Sequence, residues 1–154
     1  MSSIKVYVGT GLDNADNHQL MRAAFEKVGV NLTFDWVRAG PVEQTLEALR
    51  RRAIQDTNGV AMADFVVILL PGNPKTFNSS GRGTHTELGI ALGYSIRGGS
   101  HVYVISPTTF NDLTDGGIQC VFYYHPRIHR LVATPDQYDD VASAIVKNFR
   151  AYNG

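Results

Sequence analysis

The sequence holds one cysteine, Cys120. That excludes an internal disulfide and a zinc cage built from cysteines. It has no apolar run approaching the ~20 residues of a membrane-crossing helix. It also has no net charge, because 14 lysines and arginines balance 14 aspartates and glutamates. Without a basic excess a nucleic-acid polymer is a poor partner, since that affinity rests on neutralising phosphates. Copies of a neutral chain do not repel one another, which favours a homo-oligomer. No internal repeat or low-complexity tail is visible. Met1 to Lys5 lead straight into a strand-like run with no signal-peptide pattern, so a cytoplasmic protein is expected. What remains is an ordinary globular composition, 44% hydrophobic and 18% charged, which sets the chain apart from disordered sequences. Its 154 residues fit a single domain spanning 1–154.

Strands and helices alternate in the pattern. Ile4 to Val8 reads as a buried strand closed by Gly9-Thr10-Gly11. Leu20, Met21, Ala24, Phe25 and Val28 recur at helical spacing, and Gly29 stops that helix. Asn31 to Val37 is a second strand candidate. Pro41, suited to a first helical position, opens a long helix to about Asp56 that Asn58-Gly59 ends. Phe65 to Leu70 is the clearest strand, and a turn-rich loop from Pro71 to Gly83 follows it. Thr84 to Ile96 is a third long helix, Val102 to Ile105 a fourth strand, and Arg130 to Thr134 a short fifth. Thr134-Pro135 caps a last helix carrying Tyr138, Val141, Ile145 and Phe149. The expected fold is α/β: a flavodoxin-like three-layer sandwich around a five-stranded parallel sheet of order 2-1-3-4-5. In that topology ligands bind at the carboxyl ends of strands 1 and 3.

The segment from Ser80 to Gly89 joins the third strand to its helix at that crevice. Glu87 stands there with Ile90 and Ala91 one turn on, so no local cation pairs it. Two readings fit. Glu87 is a partly desolvated carboxylate available for chemistry, or Thr84 and Glu87 form a capping box that satisfies the helix start. The loop around Gly81, Arg82 and Gly83 is likewise a phosphate cradle or a plain tight turn. It is not a Walker loop, and Asn14 breaks the dinucleotide-binding spacing after Gly9 and Gly11. The histidines show no metal spacing, since His85-x-Glu87 lacks the second histidine of a zinc helix, and no metal site is expected.

Three stretches in order, Lys5-Val6-Tyr7-Val8-Gly9, Ala63-Asp64-Phe65-Val66-Val67 and Gly83-Thr84-His85-Thr86-Glu87-Leu88-Gly89-Ile90-Ala91, resemble the nucleoside 2-deoxyribosyltransferase family. That family includes nucleoside 5′-monophosphate N-glycosidases. The resemblance implies that Glu87 is the nucleophile, that Tyr7 orients it, and that Asp56 contacts the base. Asp56 lies eight residues before the aspartate of the Ala63-Asp64 pair, as the family pattern requires. Gly9, Ser80, Gly81, Arg82 and Gly83 would line the substrate. Gly81 departs from the pattern: many transferases carry an aspartate there and the nucleotide hydrolases a phosphate-binding serine, whereas here Ser79, Ser80 and Arg82 flank the position.

The implied reaction is cleavage of the N-glycosidic bond of a 2′-deoxyribonucleoside through a deoxyribosyl–glutamate intermediate, with transfer to another nucleobase. The alternatives are a nucleoside 5′-monophosphate N-glycosidase that uses water, and a non-catalytic nucleotide-binding domain on the same fold. The substrates would be a small nucleoside or nucleotide and a free base, with no metal or organic cofactor. A neighbouring subunit would complete each site from the region holding Asn111 and Phe122 to His125.

Overall fold

The computed structural model describes residues 3–72, 82–108 and 121–153. In chain order the elements are β1 (Lys5–Gly9), α1 (Ala15–Lys27), β2 (Asn31–Leu32), α2 (Trp36–Ala39), α3 (Leu46–Ala61) and β3 (Phe65–Leu69). They continue with α4 (Arg82–Ile96), β4 (His101–Ser106), β5 (Ile128–Val132) and α5 (Tyr138–Asn153). The strands form one all-parallel sheet of order 2-1-3-4-5, as the alternation predicts. All five residues of β3 are buried, which suits the central strand.

Side chains alternate across a strand, so each strand feeds two cores. Val6 and Val8 of β1 pack with Phe25 of α1 and Ile145 of α5 on one face. Tyr7 points to the other face, where Val60 of α3 and Leu88 of α4 close over it. This alternation delivers Tyr7 beneath α3 and α4.

Three elements depart most from the sequence expectation, and β5 spans Ile128–Val132 rather than Arg130 to Thr134. The second strand spans two residues rather than seven. Thr33 makes the last backbone bond to Val6 O, at 2.8 Å. Asp35 then caps α2 by accepting from Arg38 N at 3.0 Å, and Trp36 turns inward to donate from Nε1 to Val8 O at 3.0 Å. The alternation Leu32, Phe34, Trp36 mimics a strand, but its aromatic residues are buried by a turn. Helix α3 starts at Leu46, capped by Thr45 accepting from Ala48 N at 3.2 Å, so Pro41 lies in the preceding loop. It also runs through Asn58-Gly59 to Ala61.

Gly59 is in the helix for space. A Cβ there would stand 3.0 Å from Phe34 Cβ and from two ring atoms of Tyr7. The third departure is that α4 begins at Arg82, so Thr84 lies within the helix and the capping-box reading of Thr84 and Glu87 falls. The first and last helices fall as expected. Gly29 ends α1 with φ +77°, and Thr134 leads through a short 3₁₀ turn into α5. Among the described residues no helix is long and apolar enough to cross a membrane.

Gly59→Ala should lower stability. Crowding the Tyr7 ring costs ~1–3 kcal/mol, more than the ~1 kcal/mol that alanine ordinarily adds to a helix. A lower urea midpoint at unchanged m-value is the expected result. A higher midpoint would show that the contact has room to spare.

Candidate active site

Glu87 is the sixth residue of α4, and its side chain turns to the sheet rather than to its own helix start. Tyr7 Oη donates to Glu87 Oε1 at 2.8 Å across 80 residues of sequence. The second oxygen, Oε2, is buried and has no hydrogen-bond partner among the described residues. It lies over the last residue of β1. A Cβ on Gly9 would fall 2.6 Å from Oε2 and 2.9 Å from Ile68 Cδ1. A bare backbone at Gly9 is therefore the condition for Glu87 to sit where it does.

Asp56 comes from α3. The expected helix end at Asn58-Gly59 would have left it as a surface charge near a terminus. Because α3 continues, Asp56 sits in mid-helix, partly buried, with Oδ1 shielded from solvent and unpartnered among the described residues. One turn earlier on the same face stands Arg52. Its Nη2 donates to Gly40 O at 2.8 Å, and its guanidinium lies 5.6 Å from the centre of the Phe34 ring. Arg52 was not singled out in the sequence. Its one signal is a position four residues before Asp56, which places an arginine and a carboxylate on one helix face.

The electrostatics follow from burial. Loss of water lifts the Glu87 carboxyl from its ordinary 4.5 to about 8; the Tyr7 hydrogen bond opposes this and the Asp56 charge adds to it. Burial also raises Asp56, while the Arg52 cation pulls it back. The Tyr7 phenol is pushed far above its usual range by burial, then by Glu87 and Asp56, so it remains a donor. That lift favours the protonated Glu87 carboxyl near neutral pH. This is a carboxyl group held by one donor, its other oxygen buried and unpartnered among the described residues, with a second carboxylate acting on it that one cation balances.

Arg82 and Gly83 open α4 on its exposed surface. Ser80 and Gly81, with Ser79 and Asn111, lie outside the described residues. The aromatic run divides in a short 3₁₀ turn, Val121–Tyr124. Phe122 is 58% exposed, whereas Tyr123 is fully buried and its ring centre lies 5.7 Å from that of His85. Among the described residues no group of three or more histidine, cysteine or acidic side chains is placed to hold a metal ion.

No protein-family model and no curated protein matches the sequence. Among solved structures, the CMP N-glycosidase BcmB of Clostridium botulinum superposes with a TM-score of 0.57 at 12% identity, covering 92% of this chain and 98% of that one. The chain shares that enzyme's fold. At this identity the likeness concerns the course of the backbone, and the case for chemistry rests on the geometry of Tyr7, Glu87 and Gly9.

Two measurements check this geometry without assuming any activity. Glu87 binds its proton more tightly folded than unfolded, so its contribution to stability is complete below about 4.5 and is lost as pH rises through about 8. The stability of wild type minus that of Glu87→Gln should therefore fall across this window, read by urea denaturation at stepped pH. A flat difference would mean an unshifted carboxyl. Gly9→Ala should break the Tyr7–Glu87 contact and lower stability by ~1–3 kcal/mol through overpacking. Unchanged melting, with the Tyr7 hydroxyl still bonded by NMR, would contradict the close approach.

Proposed function

We propose that the protein is a nucleoside 2-deoxyribosyltransferase-like enzyme that cleaves the N-glycosidic bond of a nucleoside 5′-monophosphate through a glycosyl–Glu87 intermediate, with water as the acceptor. The observation that carries this reading is the buried Glu87 carboxyl, bonded through Oε1 to Tyr7 and unpartnered at Oε2 over the bare Gly9 backbone. A structural cap has no need of a free buried oxygen beside a second carboxylate. The neighbour of known fold acts on CMP. Gly81 supplies no acid where many transferases carry one, and Arg82 stands beside it.

In this mechanism Glu87 releases its proton to solvent water as substrate enters, and the ionised carboxylate is the nucleophile. Oε2 attacks C1′, and the C1′–N bond breaks with its electron pair passing to the base. Charge spreads through an oxocarbenium-like transition state. Tyr7 holds Oε1 so that Oε2 keeps its aim. Asp56 hydrogen-bonds or protonates the departing base. Water then attacks C1′ of the ester and returns the carboxylate, so configuration is retained after two inversions. Arg82 and the start of α4 receive the 5′-phosphate. No metal or organic cofactor enters the scheme. A second copy completes the site from the region around Phe122 to His125, where Val121 and Phe122 expose apolar surface. Transfer of a 2-deoxyribosyl group to a second base is the other reading, favoured by the match of Tyr7, Asp56 and Glu87 to the family pattern.

A panel of ribo- and 2′-deoxynucleosides and their 5′-monophosphates, with and without an added base, tests the proposal by chromatographic release of free base. Monophosphates should be cleaved in preference to nucleosides, and Arg82→Ala should erase the preference by ~1–3 kcal/mol. Glu87→Ala should lose at least ~1,000-fold in kcat. Since only ionised Glu87 attacks, kcat/KM should rise with pH toward about 8. Base exchange without net release would establish transfer. Near wild-type turnover by Glu87→Ala would remove the mechanism.

A further inference from the structure

The opposite end of the sheet holds a second concave region. Tyr103 of β4 and His129 of β5 are register partners, so their side chains share a face. Their rings stack with centres 4.8 Å apart and planes inclined by 26°. His101, two residues earlier on β4, lies on the same face with its ring centre 6.4 Å from that of His129. From α5, Phe149 meets His101 edge-on at 5.9 Å, and Tyr152 lies 6.0 Å from it. Beside these rings lies an open cavity of about 730 Å³. That is the size of a small-molecule site. It adjoins the amino ends of β4 and β5, whereas Glu87 reaches the carboxyl end of β1, so the two regions are separate.

The chemistry of the lining is one-sided. Among the described residues neither an aspartate nor a glutamate borders the cavity, while Arg127, Asn148 and both imidazoles do. Arg127 spends one nitrogen on Ser95 O at 3.1 Å. A guanidinium carries five N–H donors, so others remain. His101 and His129 make ring contacts but no side-chain hydrogen bond among the described residues. Burial and then the neighbouring His101 lower the pKa of His129. A negative group beside His129 would favour its charged form. The aromatic walls, for their part, select a flat ring by stacking.

We propose that this cavity is a binding site for a planar aromatic anion, its ring against the Tyr103–His129 stack and Phe149 and its charge on Arg127 and His129. The probe is 2-naphthoate, with neutral 2-naphthylmethanol and ring-free acetate as comparisons, titrated into the full chain and read by calorimetry and amide NMR shifts. Naphthoate should bind saturably with Kd below ~1 mM. Shifts should centre on His101, His129 and Phe149, away from Tyr7 and Glu87. The alcohol should bind at least ~10-fold more weakly and acetate not at all. Arg127→Gln, at an exposed position, should weaken naphthoate ~10-fold and leave the alcohol unchanged, whereas His129→Leu removes half of the stack and should weaken both. Ala144→Trp, on the lining of the cavity, should block both, with folding verified by circular dichroism. The proposal is overturned if naphthoate does not saturate, if the alcohol binds equally well, if Ala144→Trp still binds, or if the shifts centre on Tyr7 and Glu87. Binding is read directly, so absence of glycosidase activity leaves this result standing.

Discussion

The hydrogen bond from Tyr7 to Glu87 is the constraint on which the candidate site depends. It fastens the middle of β1 to the second turn of α4, joining the fully buried Tyr7 to the half-buried Glu87. A carboxyl group in such a place is costly unless it keeps a proton or gains partners. Here it has one partner and a raised proton affinity. The surrounding glycines follow from the same contact. Gly9 leaves room for the carboxyl and Gly59 for the phenol that holds it. A side chain at either position would displace one member of the pair.

The parallel sheet explains how residues from three distant segments converge. Period-two alternation in β1 sends Val6 and Val8 to the layer of α1 and α5, and Tyr7 to the layer of α3 and α4. Helix α3 runs on past Asn58 because Gly59 packs against Phe34 and Tyr7, which brings Asp56 inward. Arg52 follows on the same face and ties the Gly40 carbonyl to the helix. One cation thus serves both the chain segment after β2 and the charge balance of the acidic cluster. The same sheet separates two chemical environments. The Glu87 carboxyl lies over the carboxyl end of β1, and aromatic rings with basic donors gather at the amino ends of β4 and β5.

The fold class was legible because it rests on local patterns that tertiary structure reinforces. Apolar runs of strand length alternate with amphipathic segments, and parallel strands covered by helices are the packing that buries both. β3 and the order of the sheet therefore follow from the pattern. The boundaries that failed are those where a local rule competes with a contact distant in sequence. Proline at Pro41 is compatible with a helix start, but the Thr45 cap takes that role. Asn58-Gly59 carries a stop signal, yet the glycine is there to let a tyrosine from another strand approach.

The sequence by itself determined the strand–helix order and the two-sided burial of the sheet, and its resemblance to a known family marked Tyr7, Asp56 and Glu87. Each of these is written in periodicity or in a short motif. Tertiary structure alone decided whether Glu87 was a cap or a free carboxyl, because both readings share one spacing and differ in which way the side chain turns. It also decided the importance of Arg52, the true reason for Gly59 and the meeting of His101, His129 and Tyr103. These depend on which strands lie side by side and on how much water they exclude, quantities that arise only when residues far apart in the chain are packed together.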